Sequence, residues 1–139
     1  VSALADTLIL AVVQLHGQED NNYINKLKEK LSPQCEIWKA HGVIDTLPVF
    51  DLPVEGYLLD GKTGGSGEPF DWKLLSKNNE MPENVMLAGG ISIENIDDAI
   101  TNLNRHQLKG LDINSGVESE PGVKNQEKLT AVFSAIRHY

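Results

Sequence analysis

Residues 84–116, NVMLAGGISIENIDDAITNLNRHQLKGLDINSG, decide the fold. NVMLA (84–88) is a short apolar run that stops at Gly89-Gly90. Residues 94–103 then place Ile96, Ala99, Ile100 and Leu103 three or four apart, the spacing of one helix face. KGLDI (109–113) is a second apolar run, closed by Asn114-Ser115-Gly116. Two strands joined by an amphipathic helix within about 30 residues form a right-handed βαβ unit, and the strands of such a unit lie parallel.

The same alternation extends in both directions. AVVQL (11–15) predicts a strand ending at His16-Gly17, and Asp20, Asn21 and Asn22 offer caps for a helix through Leu31, stopped by Pro33. CEIWKA (35–40) predicts the next strand. Pro48 and Pro53 leave room for only a short helix between residues 44 and 55. GYLLD (56–60) predicts a third strand, before a loop with four glycines between Gly61 and Gly67. A helical turn at 71–75 and a final helix over 125–137, with Leu129, Val132, Phe133 and Ile136 aligned, complete the pattern. The βα repeat of roughly 22 to 25 residues suits a (β/α)8 barrel better than a doubly wound sheet.

The chain has 139 residues, which predicts a single domain over 1–139, whereas a complete barrel needs roughly 200 to 250. Its net charge of −8, from 12 basic and 20 acidic residues with no Lys/Arg-rich run, argues against nucleic acid and anionic lipid as partners. A phosphorylated small molecule remains compatible, because backbone N–H groups bind phosphate without any basic side chain. No apolar run reaches 18 residues, and VSALADTLILAVVQLHG has neither a basic start nor a clear cleavage site. The single cysteine, Cys35, forms no intrachain disulfide, so a cytoplasmic location is expected.

Polar and glycine residues gather just after the strands: His16-Gly17, Asp60 with its glycine loop, Gly89-Gly90, and Asp112 with Asn114-Ser115-Gly116. In a parallel sheet those positions share the C-terminal rim, where active sites form. Gly89-Gly90 and Ser115-Gly116 read either as tight turns or as paired loops offering N–H groups to a phosphate, and the pair together favours phosphate. Asp60 reads equally as a turn cap or as a general acid or base. His16 has no partner at metal-ligand spacing and reads as a surface histidine. His41 follows a strand, and His106 and His138 read as solvated helix-edge residues. Cys35 opens a strand, so it belongs to the opposite rim as a buried structural thiol.

The rim segments together resemble a known family. VVQLHGQED (12–20), YLLDGKTGGSGEPFDW (57–72), VMLAGGI (85–91) and GLDINSGVESEPGVKN (110–125) resemble the segments at strands four, six, seven and eight of phosphoribosylanthranilate isomerase, and IWKA (37–40) resembles strand five. The resemblance covers essentially the whole chain, in the family's order and spacing. IWKAHGV and GLDINSGVESEPG also resemble the isomerase half of bifunctional enzymes fused to indole-3-glycerol-phosphate synthase. It implies a partial (β/α)8 barrel, strands four to eight, of tryptophan biosynthesis. The family performs an Amadori rearrangement of N-(5'-phosphoribosyl)anthranilate without metal, nucleotide or redox cofactor. An acid opens the furanose and a base removes the C2' proton. By the same resemblance Asp60 is the acid. Gly89, Gly90, Ser115 and Gly116, with Gly65 and Gly67 as contributors, grip phosphate, and His16, Asp112 and Asn114 face the substrate. Asn114 stands where many relatives carry Ser.

The family's base is a cysteine in an initial Cys-Gly strand, and an N-terminal Arg grips the anthranilate carboxylate. This sequence enters inside what corresponds to helix three. The resemblance therefore implies that the chain alone is deficient in catalysis and associates with its missing N-terminal barrel segment. Two rivals stand beside this reading. One is a non-catalytic phosphate-binding half-barrel. The other is another phosphate-binding barrel such as a ribulose-phosphate epimerase, whose metal-binding His and Asp set is not visible here.

Overall fold

The computed structural model describes residues 1–61, 69–78, 80–102 and 107–137. A helix, α1 (Ser2–Leu8), leads into β1 (Val12–Leu15), α2 (Asn21–Lys28), β2 (Glu36–Val43) and β3 (Gly56–Gly61). Then come α3 (Lys73–Ser76), β4 (Val85–Leu87), α4 (Ile96–Thr101) and β5 (Leu108–Leu111). A 3-10 turn at Ser115–Val117, a hairpin of β6 (Glu118–Glu120) and β7 (Val123–Lys124), and α5 (Gln126–Ile136) end the chain.

β1 to β5 form one sheet in sequence order, and every neighbouring pair is parallel. The alternation of strands and helices made that expectation, and it holds. Side chains alternate across a strand with period two. Val13, Leu15 and Ile37 therefore pack outward against Ile24, Leu27 and Leu31 around α2. Val43, Leu59, Val85 and Leu87 pack outward against Leu75, Ile96, Ala99, Ile100 and Val132 from α3, α4 and α5. The other face carries a small cluster of Ala40, Leu58 and Ala88 with Met86 against it. Trp38 lies across Gly56 on that same face, where a Cβ would sit 2.6 Å from its ring.

Several boundaries differ from the sequence reading, each for a physical reason. α2 stops at Lys28, although Leu31 still bonds back to Leu27 O at 3.1 Å and is buried. β2 runs on to Val43 because it pairs with β3 over six positions, so His41 lies inside the strand rather than after it. β5 ends at Leu111, and Asp112 continues the ladder by one bond, its N–H donating to Leu87 O at 2.8 Å. No helix forms between residues 44 and 55. The aligned face of α5 is Leu129, Val132, Ala135 and Ile136, whereas Phe133 is 60% exposed. α3 and α4 are shorter than expected, and Leu103, His106 and His138 lie outside the described residues. Cys35 precedes β2 at the N-terminal rim as expected, but it is only partly buried.

The two ends of the sheet order, β1 and β5, do not pair with each other. Among the described residues no helix is long and apolar enough to cross a membrane.

Leu59 has no exposed surface and sits between β3 and the helix layer, so Leu59→Ala leaves a cavity and costs about 2–5 kcal/mol. Val49 is 75% exposed, so Val49→Ala changes stability by less than about 0.5 kcal/mol. Urea unfolding followed by circular dichroism measures both differences.

Candidate active site at the C-terminal rim

Parallel strands return only through crossovers, so their C-terminal ends share one rim. His16 follows β1, Asp60 is the penultimate residue of β3, Gly89 and Gly90 follow β4, and Asp112, Asn114, Ser115 and Gly116 follow β5. Asp60 falls in the phase of Leu58 on the concave face, since Leu59 packs outward. It stands on the middle strand of the five. His16 and Asp112 are each two strands away, roughly 10 Å along the sheet. Asp60 is half-buried, while His16 and Asp112 are exposed.

The loop after β4 packs directly beside Asp60. Gly89 has φ of 79°, and a Cβ there would run into Asp60 Oδ1 and the Gly61 N–H group. The left-handed backbone and the contact both require glycine. Asn95 braces the turn that follows. Its Nδ2 donates to Gly90 O at 2.9 Å, and its Oδ1 accepts from Ser92 N at 2.8 Å.

The loop after β5 meets the loop after β4 at Gly116, where any Cβ would collide with the Ile91 carbonyl oxygen and lie 3.0 Å from Ser92 Cα. The two glycine loops thus form one surface. Neither contact is visible in the sequence, because each spans some 25 to 30 residues.

Asn114 is held from outside. Lys124 Nζ donates to its carbonyl oxygen at 2.9 Å and to its side-chain Oδ1, and also binds Glu118 Oε1 at 2.7 Å. β6 and β7 place Glu118 opposite Lys124, so the hairpin fastens the 114–117 turn. Lys124, Glu118 and Asn95 were missed by sequence reasoning. SEPG reads only as a turn, and an Asn at a helix start reads only as a cap. Gly65 and Gly67 lie outside the described residues.

A second polar group lies behind the rim. Lys39 is 3% exposed, and its ammonium donates to Gly17 O at 2.6 Å and to Glu19 Oε2 at 2.8 Å. Burial opposes ionisation of Glu19, but the Lys39 ammonium and the backbone N–H of Gly17 outweigh it and hold the carboxyl below its usual range. Two residues further along β2, His41 stacks against Tyr57 with ring centroids 5.9 Å apart. Burial first, then the Lys39 charge, lower the His41 pKa below the ordinary value of about 6.5. Among the described residues its buried Nε2 has no hydrogen-bond partner, and no three His, Cys, Asp or Glu side chains cluster as metal ligands.

The family model described as N-(5'phosphoribosyl)anthranilate (PRA) isomerase matches residues 1–135. The chain belongs to the phosphoribosylanthranilate isomerase family. The tryptophan biosynthesis protein TrpCF of Yersinia pestis is 49% identical over 140 residues, covering 100% of this chain and 28% of that protein. TrpCF of Vibrio cholerae is 45% identical over 145 residues, covering 100% and 29%. The crystal structure of the isomerase from Thermus thermophilus matches with a TM-score of 0.74 and 32% identity, over 98% of this chain and 65% of that one. A crystal structure of the isomerase in complex with reduced 1-(o-carboxyphenylamino)-1-deoxyribulose 5-phosphate matches with a TM-score of 0.72 and 26% identity, over 99% and 64%. The chain thus spans somewhat under a third of these TrpCF relatives and just under two thirds of the solved isomerases.

Two expected outcomes follow from the rim. Gly116→Ala forces its loop away from Ile91 and lowers the denaturation midpoint, whereas Gly122→Ala meets no neighbouring atom and bears only the strain of its positive φ. Thermal unfolding compares them, and equal losses would contradict the loop contact. Burial and the Lys39 charge disfavour the protonated form of His41 in the fold, so the unfolded chain takes up a proton more readily than the folded chain. Its contribution is complete above the unfolded pKa and is lost as pH falls through the lower, folded one. Wild type therefore loses stability relative to His41→Phe as pH drops below about 6.5, measured by denaturant midpoints across that range.

Proposed function

We propose that this chain is the acid-bearing and phosphate-binding part of a phosphoribosylanthranilate isomerase of tryptophan biosynthesis, a cytoplasmic enzyme acting on N-(5'-phosphoribosyl)anthranilate. In this reading residues 1–139 are one domain, and β1 to β5 are strands four to eight of a (β/α)8 barrel. The observation that carries it is the rim itself. A half-buried carboxyl on the middle strand stands against one glycine loop, and that loop stands against a second. The family membership supplies the reaction that such a rim can serve.

The chemistry follows from the placement. The substrate's phosphate settles at residues 89–91 and 114–117, where the two glycine loops meet; backbone N–H groups of such loops can bind phosphate without a basic side chain. Gly65 and Gly67 contribute from the loop after β3, while His16, Asp112 and Asn114 bound the substrate on either side. Asp60 then protonates the furanose ring oxygen, the ring opens to a Schiff base, and loss of the C2' proton gives an enol that tautomerises to 1-(2-carboxyphenylamino)-1-deoxyribulose 5-phosphate.

The base is proposed to come from another segment of the barrel. Cys35 is the sole cysteine of the chain and precedes β2 at the opposite rim, so it cannot reach the C2' proton. Among the described residues the outer edges of β1 and β5 pair with no strand, which supports the need for further strands. So do the exposed apolar side chains of Leu4, Leu8, Ile9 and Val12 beside β1. The partner is therefore the remainder of the barrel, with a fused indole-3-glycerol-phosphate synthase domain as in the bifunctional relatives.

Turnover of N-(5'-phosphoribosyl)anthranilate tests the roles. In the full-length protein, Asp60→Asn lowers kcat by roughly 10²- to 10⁴-fold with product-analogue affinity nearly unchanged. A variant with normal kcat would reduce Asp60 to a turn cap. Residues 1–139 alone are expected to show no turnover and to associate, as measured by light scattering. An active monomer would overturn the proposed source of the base, and an inactive full-length protein that still binds the analogue would favour the non-catalytic reading.

A further inference from the structure

Among the described residues Lys39 is the one buried charged side chain, and nothing in the proposed reaction uses it. It lies on the outward face of β2, in register with Leu15 at the end of β1. From there its ammonium reaches up behind the rim to Gly17 O at 2.6 Å and Glu19 Oε2 at 2.8 Å. Glu19 in turn takes the Gly17 N–H between its two oxygens, at 3.1 Å and 3.0 Å. Both backbone polar groups of Gly17 are thus tied to a charge. The approach is so close that a Cβ on residue 17 would lie 2.8 Å from Glu19 Oε1. Asp20, the next residue, accepts from Tyr23 N at 2.8 Å and starts α2, so the loop is fixed at both ends.

Residue 16 is the position this ring controls. It leaves β1 in the phase of Gln14, opposite to the outward-packed Val13 and Leu15, and so toward the concave side of the rim. We propose that Lys39, through Glu19 and Gly17, is a positioning residue of the active site that fixes the loop after β1 and thereby the place of His16 beside the substrate. A buried ion pair adds little net stability compared with an apolar pair of the same shape, whereas charge-assisted bonds to both backbone groups of one residue fix geometry tightly. This inference rests on the isomerase reading only for its kinetic consequence.

The test uses the full-length protein with Lys39→Met, the double variant Lys39→Met/Glu19→Gln, and His16→Ala alone and combined with Lys39→Met. Lys39→Met strands the Glu19 carboxylate and lowers the unfolding midpoint. The double variant removes both charges and recovers much of that midpoint. Turnover separates the two roles: kcat/KM falls at least about tenfold in both Lys39 variants and stays low in the double variant, because the tether to Gly17 O is gone. With His16 already replaced, Lys39→Met costs little more, the mark of two residues acting as a unit. Recovery of kcat/KM together with stability, or fully additive losses, would overturn the proposal. If wild type shows no turnover, the isomerase reading fails on its own. Deuterium exchange of a peptide spanning residues 15–20 then decides the clamp: faster exchange in the restabilised double variant supports it, and unchanged exchange rejects it.

Discussion

The structure depends on one constraint, that each strand must re-enter the sheet in the direction of its predecessor. A parallel strand can do so only by way of a crossover, and the crossovers cover one face of the sheet with helices. Everything that follows a strand is thereby collected at one rim, and everything that precedes a strand at the other. Asp60, Gly89, Gly116 and His16 are brought together by this rule and not by nearness in sequence. Cys35 is kept from them by the same rule, although it too lies next to a strand.

The period-two alternation of strands then divides labour between the faces. Outward positions such as Ile37, Leu59 and Leu87 are fully buried and bind the sheet to α2, α4 and α5. On the inward face Ala40, Leu58 and Ala88, with Met86 against them, form the sole concave cluster among the described residues. A concave face whose apolar cluster is this small suits a sheet that is joined by further strands, and this is the physical content of the proposed partial barrel.

Much of this was legible in the sequence, for identifiable reasons. Short runs rich in apolar residues, most of them followed by glycine within a few residues, marked the five strands, and period-3.6 spacing marked α2, α4 and α5. The family resemblance rested on four rim segments, and the match over residues 1–135 agrees with it. What escaped was long-range or chemically ambiguous. His41 was placed after its strand because the length of β2 is set by pairing with β3, and pairing leaves no local mark. The β6–β7 hairpin was hidden in SEPGVK, where Pro and Gly announce a turn but not the Glu118–Lys124 bond across it. The Lys39 ring joins residues some 20 positions apart.

The central claim is that the two glycine loops form one anion site beside Asp60. A titration of isotope-labelled protein with inorganic phosphate, read by amide chemical shifts, tests it most directly. Shifts concentrated at residues 89–92 and 114–117, saturating together and leaving the Cys35 rim unmoved, are the predicted result. Saturating shifts confined to the N-terminal rim, with residues 89–92 and 114–117 silent, would contradict it.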